Sequence, residues 1–323
     1  MASDDPTPDF DHRPVMVDRI VELFAPVPPG LVVDATLGGA GHSRALLDAH
    51  PHLRILGLDQ DADAVAAATR ALAPYGDRAQ VRHVRFDHLA EVLGELAEGG
   101  VSGVLFDLGV SSPQLDRGDR GFSFRHSGPL DMRMDRRREK TAAEVVNRYS
   151  AERLADTLDR YGDERYARRI ANAIVAARPI DTTDQLAEVV ANAVPAPARR
   201  KNTGHPARRT FQALRIEVNE ELSILADSVD QAIDALLPGG RIVAMSYHSG
   251  EDRIVKERFR MAETGGCTCP PQLPCVCGAV HKVRLVKRGA ERADSVEILR
   301  NPRAESVRVR TAERLATEGP LAS

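Results

Sequence analysis

Three short apolar runs in the first third of the chain each end in an aspartate: Leu31, Val32 and Val33 at Asp34; Ile55, Leu56, Gly57 and Leu58 at Asp59; Val101 to Phe106 at Asp107. A strand that is apolar without alternation is covered on both faces, which is the signature of a parallel sheet layered with helices. Asp34 and Asp59 stand one strand–helix–strand unit apart, with Ser43–Ala49 as the intervening helix. The acids then fall together on the carboxyl edge of one α/β sheet, the edge at which such sheets bind ligands.

The first run opens into Thr36, Leu37, Gly38, Gly39, Ala40 and Gly41. Small residues there let the backbone approach a cofactor closely, although the spacing is not the dinucleotide GxGxxG. Asp59, at the tip of the second strand, has two oxygens with which to accept both hydroxyls of a ribose. A helix is expected over Ala62–Leu72 and a third strand over Val81–Arg85, ending at Phe86 and Asp87. Phe86 suits either an adenine face or an ordinary place in the core. The fourth strand leads through Asp107 into the polar loop Leu108, Gly109, Val110, Ser111, Ser112 and Pro113.

Sheet character returns late. Leu214, Val218, Leu222, Leu225, Val229, Ile233 and Leu236 recur in steps of three and four, one helical stripe facing a sheet, until Pro238, Gly239 and Gly240 end it. Arg241–Ser246 is then a fifth strand, delivering Tyr247, His248 and Ser249 to the same edge. Val283–Val286 and Val307–Arg310, with a helix over Asp294–Arg300 between them, supply two closing strands, one of them antiparallel. The fold class is α/β, a Rossmann-like class I methyltransferase sheet with an inserted helical domain. A nicotinamide dehydrogenase is the rival architecture, weakened by the glycine spacing and by a second half without another nucleotide unit.

The interruption spans residues 115–210, so the expected division is 1–114 and 211–323 for the two parts of the methyltransferase domain, with 115–210 as a helical substrate-recognition insert. Thr141–Asn147, Ala151–Tyr161, Arg165–Ala177 and Thr183–Ala193 are its helices. The chain carries a net charge of -3, yet 115–210 holds 20 Lys or Arg against 14 Asp or Glu, a local excess of six. At its entry Phe122, Phe124 and Arg125 are followed by Arg133, Arg136, Arg137 and Arg138; at its exit stand Arg199, Arg200, Lys201, His205, Arg208 and Arg209. Aromatic and basic residues interleaved around one cleft fit a nucleic acid, against the plainer reading of a solvated surface.

All four cysteines lie in one stretch, Cys267, Cys269, Cys275 and Cys277. Two CxC pairs could close around zinc, but their gaps are tighter than those of most zinc sites, and free thiols in a surface loop are the preferred expectation, with no metal. At 42% apolar and 28% charged residues, without an apolar run long enough to cross a bilayer, the composition fits a soluble chain. The acidic start MASDDPTPDFDH is unlike a secretory signal, so a cytoplasmic location is expected.

Beyond these patterns the chain resembles the bacterial ribosomal RNA small subunit methyltransferase H family. The resemblance runs through His12, Pro14 and Val15, the glycine loop to His42, DLGVSSPQ at Asp107–Gln114, GFSF at Gly121–Phe124, GPLDMRMD at Gly128–Asp135, RTFQ at Arg209–Gln212 and NPRA at Asn301–Ala304. It implies methylation of the exocyclic N4 amine of a cytidine in 16S ribosomal RNA, within the small ribosomal subunit, with S-adenosyl-L-methionine as methyl donor. It also implies cofactor contacts at Ala40, Gly41, His42, Asp59, Phe86, Asp107 and Gln114; Gln114 enters through the resemblance alone. Tyr247 and Gly250 depart from the family's usual phenylalanine and leucine, and Glu305 from its arginine.

Cytosine N4 is a poor nucleophile because its lone pair is delocalised into the ring, so positioning and a well-placed acceptor should matter more than a strong base. Asp107 is the first candidate for that acceptor, followed by Ser111, Ser112 and His248, with a structural histidine as the alternative for the last. A small-molecule methyltransferase would leave the basic insert without a role. A noncatalytic RNA-binding protein would leave the aligned aspartates unexplained. No membrane is expected as a partner, and the sequence leaves room for a homodimer.

Overall fold

The computed structural model describes residues 14–96, 99–201, 204–270 and 276–319. Helix α1 (Val17–Phe24) precedes β1 (Gly30–Asp34), and α2 (Gly41–Ala49), β2 (Leu53–Asp59), α3 (Ala62–Leu72) and β3 (Ala79–His83) follow. Then come α4 (Leu89–Glu95), β4 (Val101–Asp107) and the single turn α5 (Ser112–Asp116). The insert supplies α6 (Ala142–Arg148), α7 (Ala151–Gly162), α8 (Ala167–Ala176), α9 (Thr183–Ala193), α10 (Ala196–Lys201) and α11 (Arg208–Asn219). Helix α12 (Glu221–Ala235), β5 (Leu236–Ser246), α13 (Ser249–Thr264), β6 (His281–Leu285), α14 (Ser295–Arg300) and β7 (Arg308–Gly319) complete the order.

The strands form one sheet in the order β3-β2-β1-β4-β5-β7-β6. β1 to β5 are parallel, and β7 runs antiparallel to both β5 and β6. Successive residues face opposite sides, as strand geometry requires. Val33, Val104, Phe106, Ile242 and Ala244 join the cluster under α4, α12 and α13, whereas Val32, Leu105, Val243 and Met245 join the one on the opposite face with residues of α1, α2 and α3. Both faces are buried, which is why the runs in the sequence lack alternation. Each large side chain so buried contributes about 1.5–3 kcal/mol.

Local signals set several element boundaries. Asp61 caps α3 by accepting the Asp63 amide at 3.0 Å, and Ser150 caps α7 by accepting the Arg153 amide at 3.2 Å. The third strand lies two residues earlier than its expected range, because Phe86 to His88 is already a 3₁₀ turn. The long stripe from Leu214 to Leu236 is also not one helix. It breaks at Glu220, whose φ of 59° is left-handed. Leu214 and Val218 belong to the insert's core, while Leu225, Val229, Ile233 and Leu236 belong to the sheet's. Hence α11 packs with the insert, past the expected limit at 210.

The insert has its own core, from Phe122, Leu130 and Met132 through Leu154, Ile170 and Leu186 to Phe211 and Val218. Its entry loop is bolted to α11 by the buried Asn219, which accepts from the Met134 amide and donates to the Met132 carbonyl, both at 2.8 Å. Gly121 is required in this loop: its φ is 72°, and a Cβ there would stand 2.1 Å from the Pro129 carbonyl oxygen.

Candidate active site

Strand order reverses between β1 and β4, so the carboxyl ends of these two strands open a crevice. Asp34 lines its floor without opening into it. It is 2% exposed, accepts the Ser43 hydroxyl at 2.6 Å, and burial raises its carboxyl pKa despite that hydrogen bond. Above it the glycine loop is tied to both neighbours: Leu37 donates to the Leu58 carbonyl at 3.0 Å, and the Thr36 hydroxyl accepts the Asp107 amide at 2.6 Å. Gly38 adopts a φ of 51°, and a Cβ on it or on Gly39 would meet nothing within 4 Å. The loop therefore presents bare backbone to open space. Ala40 (φ 63°) turns the chain into α2, beginning with Gly41 and His42.

Asp59 closes one side. One carboxylate oxygen accepts the Gly38 amide and the other the Asp61 amide, each at 2.8 Å. Burial pushes its pKa from 3.8 to about 6, the amides only partly opposing it. Gln114 is buried beside it: its carbonyl oxygen accepts the Ser111 amide at 3.0 Å, and its NH₂ donates to Asp61 at 2.8 Å. Arg120, 2% exposed, grips the same Asp61 oxygen at 2.7 Å and the Arg133 carbonyl at 3.0 Å. This buried clamp joins the β2–α3 turn to the entry of the insert. Neither Asp61 nor Arg120 stands out in the sequence, because two residues 59 positions apart carry no periodic signal.

Asp107 is at the centre. Tyr247 donates its hydroxyl to one carboxylate oxygen at 2.7 Å, and His42 Nδ1 is 3.5 Å from the other. The Val15 carbonyl, 2.9 Å from His42 Nε2, can only accept, so that nitrogen carries hydrogen and Nδ1 is the one turned to Asp107. Burial raises the Asp107 pKa, with His42 and Tyr247 acting against it. Burial and the neighbouring Asp107 raise that of Tyr247. The Asp107 side chain is still 27% exposed, so a substrate can reach it. Tyr247 thus places a hydrogen bond on the most chemically loaded residue of the crevice.

The other expected residues fall into different places. Ser111 and Ser112 stand at the start of α5, partly exposed and next in the chain to the crevice. His248 caps α13 instead: Nδ1 accepts the Gly250 amide at 3.2 Å, and Nε2 is 3.0 Å from the carboxylate of the buried Glu251. Glu251 also accepts the Tyr247 amide at 2.7 Å; burial raises its pKa, but His248, Arg215 and that amide together bring it below the ordinary value. Phe86 is 9% exposed and meets Phe106 edge-on, with ring centroids 5.6 Å apart. Asp87 is taken up by Arg85, at 2.8 and 2.6 Å.

Among the insert's arginines, those of the entry are largely spoken for. Arg133 pairs with Asp131, Arg136 with Asp119, Arg137 with Asp135 and Arg138 with Glu220. Arg125, Arg165, Arg168, Arg169, Arg199, Arg200 and Arg208 are exposed. Phe124 stacks on His205 with centroids 4.5 Å apart, and Arg209 donates to the Asp163 carbonyl at 2.6 Å, which seats the start of α11 beside the α7–α8 turn. Of the remaining expectations, Cys275 and His12 lie outside the described residues; Cys267, Cys269 and Cys277 bring their sulfurs within 4.8 Å of one another.

The model of the MraW methylase family matches residues 9–315 of the chain. The ribosomal RNA small subunit methyltransferase H of Saccharopolyspora erythraea is 52% identical over 311 residues, covering 94% of this chain and 93% of that protein. Proteins of the same description from Symbiobacterium thermophilum and Mycolicibacterium smegmatis are 48% and 50% identical, covering 95% and 97% of this chain and 97% and 86% of their own lengths.

Proposed function

Because the chain belongs to the MraW methylase family, we propose that its crevice transfers a methyl group from S-adenosylmethionine to the N4 amine of a cytidine in 16S ribosomal RNA. The observation that carries this reading is Asp107, held at the strand-order reversal by Tyr247, His42 and Thr36, opposite a loop of bare glycine backbone. The crevice fits the donor. Gly38 to His42 offer backbone to its amino-acid end, Asp59 offers a partly open carboxylate to its ribose, and Phe86, buried against Phe106, backs the place for its base. Gln114 orders the wall through Asp61.

When bound, the donor supplies a methyl group on a positively charged sulfur. Asp107 accepts a hydrogen bond from the cytosine amine, turning the nitrogen lone pair toward the methyl, and takes up the N4 proton as positive charge develops there. Its raised pKa makes it a better acceptor than an ordinary solvated carboxylate. The Tyr247 hydroxyl fixes one carboxylate oxygen, with the His42 ring beside the other, so the acceptor needs little reorganisation during the reaction. Ser111 and Ser112 shape the rim where the base enters. His248 and Glu251 hold the Tyr247 backbone and position the tyrosine rather than exchange protons with substrate.

The insert grips the RNA with the exposed cations of the α7–α8 turn and the α10–α11 region, Phe124 and His205 giving a stacking surface among them. The substrate is the small ribosomal subunit and the location cytoplasmic. No helix of the described residues is long and apolar enough to cross a membrane. Every residue named in the reaction comes from one chain, and a homodimer is compatible with it. The test combines purified protein, labelled S-adenosylmethionine and small subunits lacking the modification, with nucleoside mass spectrometry. Label at N4 of cytidine is expected; label confined to another nucleoside or a small metabolite would sink the assignment.

A further inference from the structure

The connection from α13 to β6 has a fold that apolar packing does not explain. Its described residues, 265–270 and 276–280, include no buried side chain, and Val276 is 88% exposed. Hydrophobic burial, which holds much of the molecule, therefore does not fix these described residues. The arms nevertheless meet. Gly265 has a φ of 58°, and its ideal Cβ position is 2.5 Å from the Val280 carbonyl oxygen. Above this pinch the sulfurs of Cys267, Cys269 and Cys277 converge to within 4.8 Å of one another. The Cys269 amide also donates to Cys267 Sγ at 3.4 Å, which fixes the orientation of that sulfur.

We propose that Cys267, Cys269 and Cys277 are thiolate ligands of a structural zinc ion. Several soft sulfur donors gathered at one point suit a tetrahedral dication, whose charge offsets the repulsion among thiolates. Shared coordination by Cys267 and Cys269 on one arm and Cys277 on the other cross-links the two described arms. The site is remote from the chemistry. β6 begins at the amino edge of the sheet, where His281 pairs with Gly319, whereas the crevice opens at the carboxyl edge, where Ser246 pairs with Arg308. The ion accordingly fastens α13 to the edge strand and takes no part in methyl transfer.

The test uses the full chain, purified in reducing buffer without added metal. Elemental analysis should find about one zinc per chain. The double variant Cys267→Ser, Cys269→Ser should lose that zinc while binding S-adenosylhomocysteine as before by calorimetry. Should the variant fail to fold, titration of the unaltered protein with a mercurial reagent decides: zinc should be released in step with thiol modification. X-ray absorption should show sulfur scatterers at about 2.3 Å from the metal. Zinc no higher in the unaltered chain than in the folded double variant, release unrelated to thiol modification, or recovery of these cysteines as disulfides would overturn the site.

Discussion

At the carboxyl edge of the sheet, Asp59 and Asp107 are held by partners that leave their charge available; in the insert, many cations are held by partners that cancel it. Asp59 rests on two backbone amides, and Asp107 takes a tyrosine hydroxyl beside an imidazole. Arg133, Arg136, Arg137 and Arg138 each face a carboxylate of the insert or of Glu220. A count of charges along the chain treats these two regions alike. Their function depends on what each charge faces, since a paired arginine projects little field to a phosphate while an acid on neutral donors remains a full acceptor.

The largest test of this contrast is at Asp107. Asp107→Ala should lower the rate of methyl transfer by about 10²–10³, the usual scale for losing a preorganised acceptor, while RNA binding persists. Single-turnover assays with saturating cofactor separate the two. A variant that transfers methyl at the normal rate would remove Asp107 from the chemistry.

The buried clamp comes next. Arg120→Met leaves Asp61 an uncompensated carboxylate, and breaking such a pair costs about 3–5 kcal/mol, visible as a lowered melting temperature. An unchanged melt would mean that water replaces the guanidinium. RNA binding tests the insert itself. Replacing Arg165, Arg168 and Arg169 by Gln should reduce the slope of log affinity against log salt by about 0.7–0.9 for each phosphate that the insert no longer neutralises. The same change at Arg136, Arg137 and Arg138 should alter the slope less, because their carboxylates already neutralise them. If the second set has the larger slope effect, the distinction between exposed and paired cations fails.

Asp59 gives a pH signature. Its pKa of about 6 in the fold is above its ordinary 3.8, so protonation favours the folded state. That contribution is full below 3.8 and is lost as pH rises through about 6. Cofactor binding runs the other way, because the ribose needs the carboxylate. Affinity for S-adenosylhomocysteine should be level above about 6 and weaken about tenfold per unit below it, and Asp59→Asn should flatten the profile at a lower affinity. A profile that keeps its acidic limb in the variant assigns the titration elsewhere. The smallest effect is expected at Tyr247. Tyr247→Phe removes one hydrogen bond, about 1 kcal/mol, and should leave transfer active. Losing that donor raises the Asp107 pKa, so the acidic limb of the pH–rate profile should move upward; a limb that does not move would detach Tyr247 from the reaction.

The sequence by itself determined the sheet and the acids at its edge. A buried parallel strand writes its burial as an unbroken apolar run, and the strand's end fixes where Asp34, Asp59 and Asp107 emerge. Family resemblance added Gln114, which no local pattern marks. Tertiary structure alone decided the rest, because those interactions join residues far apart in the chain. It split the stripe from Leu214 to Leu236 between two cores at Glu220, turned His248 into a helix cap on Glu251, and brought Tyr247 to Asp107 across 140 positions. It also separated arginines paired with carboxylates, the exposed Arg136 and Arg137 among them, from the exposed Arg165, Arg168 and Arg169 around the α7–α8 turn. Periodicity reports which side of an element is buried; which partner it meets there depends on how the elements pack.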